Sequence, residues 1–125
     1  MSFLPTSCTC TITRVVDGDT YCVEYERHEY IVRILGVDCF ETRYGAKLRS
    51  QSLARGISLR DALKKGIRAK DFAENILLGE TVTIIRPDGV PDNDIYFRYL
   101  RQVFVQWGKA TTNLAALLAQ HGYAA

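Results

Sequence analysis

The sequence lacks the features that would assign it to several common classes of protein. No apolar run approaches the ~18 residues that a membrane-spanning helix needs, and residues 1–10 have neither the basic start nor the apolar centre of a secretory signal. No segment repeats, and no low-complexity linker divides the 125 residues. We therefore expect a single domain over residues 1–125 that makes no membrane contact and is cytoplasmic unless a leader was removed.

Cysteine and histidine are too few, and too irregularly spaced, to indicate a zinc site or a disulfide framework. The four cysteines form no C-x-x-C pair, and the two histidines do not follow them at zinc spacing. We expect free thiols. His28 lies in a predicted turn and His121 at a predicted helix end, so we propose no histidine as a catalytic base.

Charge is plentiful, and its sign changes along the chain. The formal net charge is only +2, but residues 1–42 carry seven acidic and three basic side chains, and residues 43–70 carry nine basic side chains against one acidic. An acidic cluster followed by a basic segment suits a site that holds a cation and receives a polyanion. The alternative for the basic segment is a solvated helical face, which is the usual role of such residues.

Hydrophobic periodicity predicts a mainly β protein of the α+β class. Strands are expected at residues 9–16, 20–26, 30–37, 81–86 and 95–106. Five strands with a helix after the third are the order of an oligonucleotide-binding (OB-fold) barrel. A sandwich of two sheets is the alternative, because the number of strands does not by itself close a barrel.

Two helices are expected, one after the third strand and one at the C terminus. The first is predicted to begin at Ser58, with a break or bend at Gly66, and the second is predicted to be capped by Thr112. Residues 43–57 show no periodicity, and we interpret them as a mobile loop.

Arg33 is the charged residue that most clearly needs an anionic partner. It lies within the apolar segment 30–37, where an unpaired charge would lose several kcal/mol to desolvation. Three carboxylates, those of Asp19, Asp38 and Glu41, lie near the ends of the predicted strands. Arg33 should therefore face a carboxylate, a ligand phosphate, or both.

Four separated segments make this chain similar to the staphylococcal nuclease (thermonuclease) family. They are V-D-G-D-T at residues 16–20, V-R-I-L-G-V-D-C-F-E-T at 32–42, D-I-Y-F-R-Y-L at 94–100, and the asparagine-containing terminal helix at 113–122. Four pieces in the right order are a strong signal, whereas D-G-D-T alone would be a weak one.

The resemblance implies a Ca2+ site. Asp19 and Asp38 match the carboxylates that bind Ca2+ in the family, and Cys39 stands where the family uses a backbone carbonyl as a further ligand. The side chain at that position is then immaterial, which suits a soft thiol beside an ion that prefers oxygen.

The resemblance also implies the residues that act on the substrate. Arg33 and Arg98 match the two arginines that grip the scissile phosphate, and Glu41 matches the acid proposed to activate the attacking water. Tyr96 is a candidate for stacking on a base. We interpret Arg101 as an exposed residue of the fifth strand.

The implied activity is Ca2+-dependent hydrolysis of DNA and RNA, with single strands preferred, to 3'-phosphate and 5'-hydroxyl ends. The alternative is a catalytically inactive barrel of the same family that binds nucleic acid or a protein partner. Two positions depart from the family pattern: Phe40 replaces a proline, which predicts a looser loop before Glu41, and Ile95 replaces a basic residue, which predicts one phosphate contact fewer. The sequence does not indicate the oligomeric state.

Overall fold

Over residues 3–125, which the structure describes, the chain folds into a closed β-barrel with one additional strand and three helices. In this computed structural model the elements are β1 (Ser7–Asp17), β2 (Thr20–Tyr25), β3 (His28–Ile34), α1 (Ala46–Arg55), α2 (Leu59–Leu77), β4 (Thr81–Ile85), β5 (Tyr99–Trp107), β6 (Ala110–Asn113) and α3 (Leu114–Gln120). None of the helices in this range is both long and apolar enough to cross a bilayer.

The strand pairing confirms the predicted OB-fold barrel and excludes the sandwich. The strands follow one another in the order β3-β2-β1-β4-β5-β6, and β3 also pairs with β5. That closing pair is parallel, with Val32 opposite Tyr99 and Ile34 opposite Arg101, whereas the other pairs are antiparallel. Five strands therefore form the barrel, and β6 extends the sheet beyond β5.

The barrel closes around the apolar residues that alternate along each strand. Inward positions on the strands are filled by Ile12, Val23, Val32, Ile34, Ile84 and Val103, each 2% exposed or less. Helix α2 adds the stripe Ala69, Ala73 and Leu77, and α3 adds Leu114, Leu117 and Leu118. These two helices pack on the barrel through these faces. The buried leucines of α3 are those that the periodicity predicted, whereas the buried stripe of α2 consists mainly of alanines, and its larger residue Ile67 is 42% exposed.

The segment 43–57 was predicted wrongly as a mobile loop. It contains the helix α1, which ends at Gly56 in the left-handed conformation usual for a helix terminator. Only one large apolar side chain of α1, Leu48, is buried, together with the polar Gln51 and Ser52. Because the buried face is mostly polar, the helix shows no hydrophobic periodicity.

Gly66 does not break α2, which continues without interruption and begins at the predicted cap, where Asp61 N–H donates to Ser58 Oγ at 3.1 Å. Gly66 instead allows another segment to approach the helix. A Cβ atom on Gly66 would lie 2.1 Å from the carbonyl oxygen of Glu41 and 2.8 Å from that of Phe40. The glycine is thus required by packing against the Glu41 loop.

Further boundaries differ from the prediction. Strand β3 ends at Ile34 and not at residue 37, and β6 was not predicted. Strand β5 begins at Tyr99, and residues 95–98 form a turn. The cap of α3 is Asn113 in place of Thr112, because the Asn113 side chain accepts a hydrogen bond from Ala116 N–H at 3.2 Å. Thr112 belongs to β6.

Arg101 was predicted to be exposed, and it is completely buried. Its Nη2 donates to the carbonyl oxygens of Leu4 (3.0 Å) and Pro5 (3.2 Å), and the same nitrogen lies 2.7 Å from Asp92 Oδ1. Strand alternation gave a signal that was overlooked, because Arg101 has the same parity as the buried Val103. Arg101 ties the N-terminal segment to β5.

Candidate functional site

The turn between β1 and β2 presents the carboxylate of Asp19 to the interior. Asp17 Oδ1 accepts a hydrogen bond from Asp19 N–H at 3.1 Å, a contact typical of an aspartate-stabilised turn. Gly18 lies so close to other elements that a Cβ there would meet Ala69 Cβ at 2.9 Å and Cys39 Cβ at 3.0 Å. Under this cover Asp19 is 2% exposed.

Arg33 joins the two carboxylates predicted to bind Ca2+. Its Nη2 lies 3.3 Å from Asp19 Oδ2 and 3.0 Å from Asp38 Oδ1, so these two oxygens are at most about 6 Å apart. Its Nη1 donates to the carbonyl oxygens of Ile34 at 2.6 Å and Val37 at 2.9 Å. The buried charge therefore has the anionic partners that the sequence required.

The segment from Asp38 to Glu41 is held by backbone and side-chain hydrogen bonds. Cys39 N–H donates to Asp19 Oδ2 at 2.8 Å. From α1, Gln51 Nε2 donates to Cys39 O at 2.8 Å and to Asp38 Oδ2 at 3.1 Å, and Gln51 Oε1 accepts from Glu41 N–H at 2.9 Å. Sequence reasoning missed Gln51, since no pattern marks a buried glutamine within a polar segment.

Phe40, which stands where the family pattern has proline, anchors this segment through its side chain. The ring is 1% exposed and packs with Leu48 of α1 and Ala62 of α2. The Arg55 guanidinium lies 5.9 Å from the ring centroid. Burial of an aromatic ring replaces the rigidity that proline would have given.

Lys47 is a second site residue that sequence reasoning did not single out. Its Nζ lies 3.1 Å from Asp38 Oδ1 and 3.9 Å from Glu41 Oε2. Burial acts to raise the pKa of Asp38, but hydrogen bonds from Gln51 and Lys47 and the charge of Arg33 outweigh it, and the pKa is lowered. The basic character of residues 43–70 was the available signal for Lys47.

The turn before β5 fixes Arg98 at the same end of the barrel. Asp94 Oδ1 accepts from Tyr96 N–H at 2.9 Å and from Arg98 N–H at 3.0 Å, and Asp94 Oδ2 accepts from Arg98 Nε at 2.7 Å. The Arg98 guanidinium lies 5.3 Å from the Tyr96 ring centroid, and its Nη1 is 3.4 Å from Thr20 Oγ1. Thr20 pairs with Arg33 across β2 and β3, so both arginines belong to one site.

A pocket of about 560 Å³ is lined by Glu41, Lys47, Tyr96 and Arg98, among others. Three of the predicted site residues thus share one cavity. Two other predicted residues contact the residues of its wall: Thr20, which lines it, donates to Asp19 Oδ1 at 3.3 Å, and Lys47 contacts Asp38.

The donor atoms of the site can be compared with those that a hard cation accepts. Burial and the neighbouring Asp17 raise the pKa of Asp19 to about 7, although Arg33 acts to lower it. At Asp19 burial and Asp17 therefore outweigh the charge of Arg33, whereas the pKa of Asp38 is lowered. Within residues 3–125 no three His, Cys, Asp or Glu side chains converge as metal ligands, but the two carboxylates and the Cys39 carbonyl are oxygen donors of the kind that Ca2+ accepts, with water completing its shell.

The contact between Gly66 and the Glu41 loop gives a prediction about stability. We expect Gly66→Ala to lower the free energy of unfolding by about 1–3 kcal/mol, because a methyl group 2.1 Å from a carbonyl oxygen forces the loop and helix apart. Thermal denaturation measures the loss, and amide resonances of Phe40 and Glu41 should shift. The reference is the unaltered protein, because helix propensity alone makes alanine more stable than glycine inside α2 by about 1 kcal/mol. A Gly66→Ala variant as stable as the unaltered protein, or more stable, would refute the packing role.

Comparison with known proteins gives two findings. A family model described as staphylococcal nuclease homologue matches residues 31–125, a range that includes Arg33, Asp38, Glu41 and Arg98. An uncharacterized protein of Methanocaldococcus jannaschii is 35% identical over 116 residues, which are 90% of this chain and 56% of that protein. The chain therefore spans about half the length of this curated relative.

Proposed function

Since the chain belongs to the staphylococcal nuclease homologue family, we propose that it is a Ca2+-dependent nuclease that hydrolyses the phosphodiester bonds of DNA and RNA. The observation that carries the proposal is the convergence of Asp19 and Asp38 on Arg33 Nη2, at 3.3 Å and 3.0 Å. Glu41 and Arg98 line the adjoining pocket. This reaction needs carboxylates that bind a cation and guanidinium groups that bind the phosphate. It also needs a further carboxylate that accepts a proton from water.

In this proposal Asp19, Asp38 and the Cys39 carbonyl hold the ion. When bound, Ca2+ supplies a Lewis acid that takes up charge from a phosphoryl oxygen. Arg33 keeps the two carboxylates aligned and adds positive charge beside the phosphate. Gln51 fixes both Asp38 and the Cys39 carbonyl through its amide nitrogen.

Arg98 is placed to bind the scissile phosphate. Its Nε is occupied by Asp94 at 2.7 Å, which sets the plane of the guanidinium, and it is 27% exposed. Hydrogen bonds from a guanidinium to phosphate oxygens strengthen as negative charge develops on them. Asp94 therefore acts as a positioning residue for Arg98.

Glu41 is the proposed general base. Its carboxylate is 32% exposed, and its backbone is fixed by Gln51. Glu41 accepts the proton of a water molecule whose oxygen bonds to phosphorus. The bond from phosphorus to the 5'-oxygen breaks, and that oxygen takes a proton from solvent, which leaves a 3'-phosphate and a 5'-hydroxyl.

The helices beside the site offer a surface for the polyanion. Of the nine basic residues between 43 and 70, seven are exposed, as a solvated helical face also predicts. Their charge attracts the phosphate backbone whatever the base sequence. We therefore propose a substrate of single-stranded DNA or RNA, cut with little sequence preference.

The test is cleavage of a fluorescent single-stranded DNA with Ca2+ and then with excess chelator. We expect cleavage only with Ca2+, products that end in 3'-phosphate, and a loss of about 100-fold or more in Arg98→Ala, because one donor to the developing charge is removed. Binding of the DNA without cleavage in Ca2+ would contradict the proposal and favour an inactive barrel.

A further inference from the structure

Three consecutive apolar side chains project from the turn before β5. Ile95 is 83% exposed, Tyr96 69% and Phe97 82%. Tyr96 and the partly exposed Ile31 both line the pocket that contains Glu41 and Arg98. Ile95 and Phe97 flank Tyr96 in the chain, next to this charged pocket, and their exposure is not accounted for by folding, since these side chains bury little surface.

Phe97 is the member of this group that is hardest to explain as a structural residue. Its φ angle is +62°, in the left-handed region that side chains with a Cβ rarely adopt and that glycine adopts freely. A bulky residue there strains the backbone, and its ring gains no packing in return. Such strain is typical of functional sites.

The turn holds the ring in a defined place. Phe97 N–H donates to Asp94 O at 3.1 Å, and Asp94 N–H donates to Arg98 O at 2.9 Å. The Asp94 carboxylate adds bonds to the backbone of Tyr96 and Arg98. An aromatic ring presented by a rigid turn loses little conformational entropy when it binds a ligand.

The charges near the projection indicate what it contacts. The pocket wall carries three basic side chains, those of Arg14, Lys47 and Arg98, and two acidic ones, those of Asp17 and Glu41. Helices α1 and α2 carry further exposed arginine and lysine side chains. Aromatic platforms beside basic side chains are how proteins bind single-stranded nucleic acid, because each base offers a flat face and each phosphate a negative charge. A paired base in a duplex does not expose its face.

We propose that Phe97, extended by Ile95, is a platform on which an unpaired nucleobase flanking the scissile phosphate stacks. The platform deepens the proposed nuclease function and rests on it. The occupant is a base of the substrate strand.

The test is Phe97→Gly, assayed by fluorescence anisotropy with oligothymidylate in chelator, where no cleavage occurs. We expect affinity to fall about 10-fold, with a melting temperature equal to or above that of the unaltered protein, because glycine relieves the strain at φ +62°. Phe97→Asn should bind as weakly, since asparagine tolerates this conformation and keeps the turn. Phe3→Gly, at a phenylalanine 70% exposed in the N-terminal segment, is the control expected to bind normally.

An abasic strand of equal length separates stacking from charge. We expect Phe97→Gly and the unaltered protein to bind that strand equally. The platform is overturned by absence of binding in the unaltered protein, by unchanged affinity of Phe97→Gly for oligothymidylate, or by an equal loss on the abasic strand. A dimer that becomes monomeric in Phe97→Gly, with DNA binding intact, would likewise assign the ring to a contact between copies.

The same measurements distinguish the platform from the nuclease proposal. Cleavage in Ca2+ with unchanged binding by Phe97→Gly supports the nuclease and removes the platform. Binding that depends on Phe97 without cleavage supports stacking of a base on Phe97 and removes the nuclease, and with it the placement beside a scissile phosphate.

Discussion

Glu41→Gln is expected to lower the rate of phosphodiester cleavage by about 1,000-fold, because glutamine cannot accept the proton of the attacking water. The substitution keeps the size of the side chain. It also keeps the bond from the backbone N–H of residue 41 to Gln51 Oε1, which is 2.9 Å long. The packing of Phe40 is not touched. The substitution should therefore slow the cleavage step without lowering the stability of the fold.

The measurement is the cleavage rate at saturating substrate in Ca2+, with the melting temperature recorded beside it. DNA binding by Glu41→Gln should equal or exceed that of the unaltered protein, because a negative charge near the phosphate is removed. Glu24→Gln, an exposed carboxylate on β2, is the control and should retain full activity. A Glu41→Gln rate close to that of the unaltered protein would show that another group, or solvent, takes the proton.

The barrel could be predicted because its signals are strong and local. Alternation along β1 to β5 set the strands, and the buried charge of Arg33 demanded the carboxylates that it contacts at 3.3 Å and 3.0 Å. The elements that hold these groups gave no such signal. Helix α1 buries a single large apolar side chain, so neither its existence nor the three hydrogen bonds of Gln51 follow from periodicity.

Two further failures have different physical causes. The segment I-Y-F at residues 95–97 has high strand propensity. It forms a turn instead, because the Asp94 carboxylate accepts hydrogen bonds from the backbone N–H groups of Tyr96 and Arg98. Gly66 was interpreted through its low helix propensity. Gly66 is needed because the carbonyl oxygen of Glu41 packs against α2 at this position, and this tertiary contact cannot be predicted from helix propensity.

The buried Arg101 gives the largest expected effect on stability. Arg101→Met should lower the free energy of unfolding by about 3 kcal/mol or more, because it leaves the buried carbonyl oxygens of Leu4 and Pro5 without their donor. The Asp92 side chain is 41% exposed, but its Oδ1 atom, which faces Arg101, is buried, so the variant also leaves this oxygen without its cationic partner. The expected loss thus exceeds that of an ordinary surface ion pair.

Urea denaturation measures this loss as a lower midpoint at unchanged slope. Hydrogen exchange of the Arg86 amide, which donates to Thr6 O at 2.7 Å, should accelerate, because Arg101 joins the segment that contains Thr6 to β5. Arg14→Met is the matched control, since Arg14 is an exposed arginine of β1, and it should change the stability by less than about 0.5 kcal/mol. If Arg101→Met were as stable as Arg14→Met, the carbonyls would have found other donors, and the inward arginine would not be what fastens the N-terminal segment to the barrel.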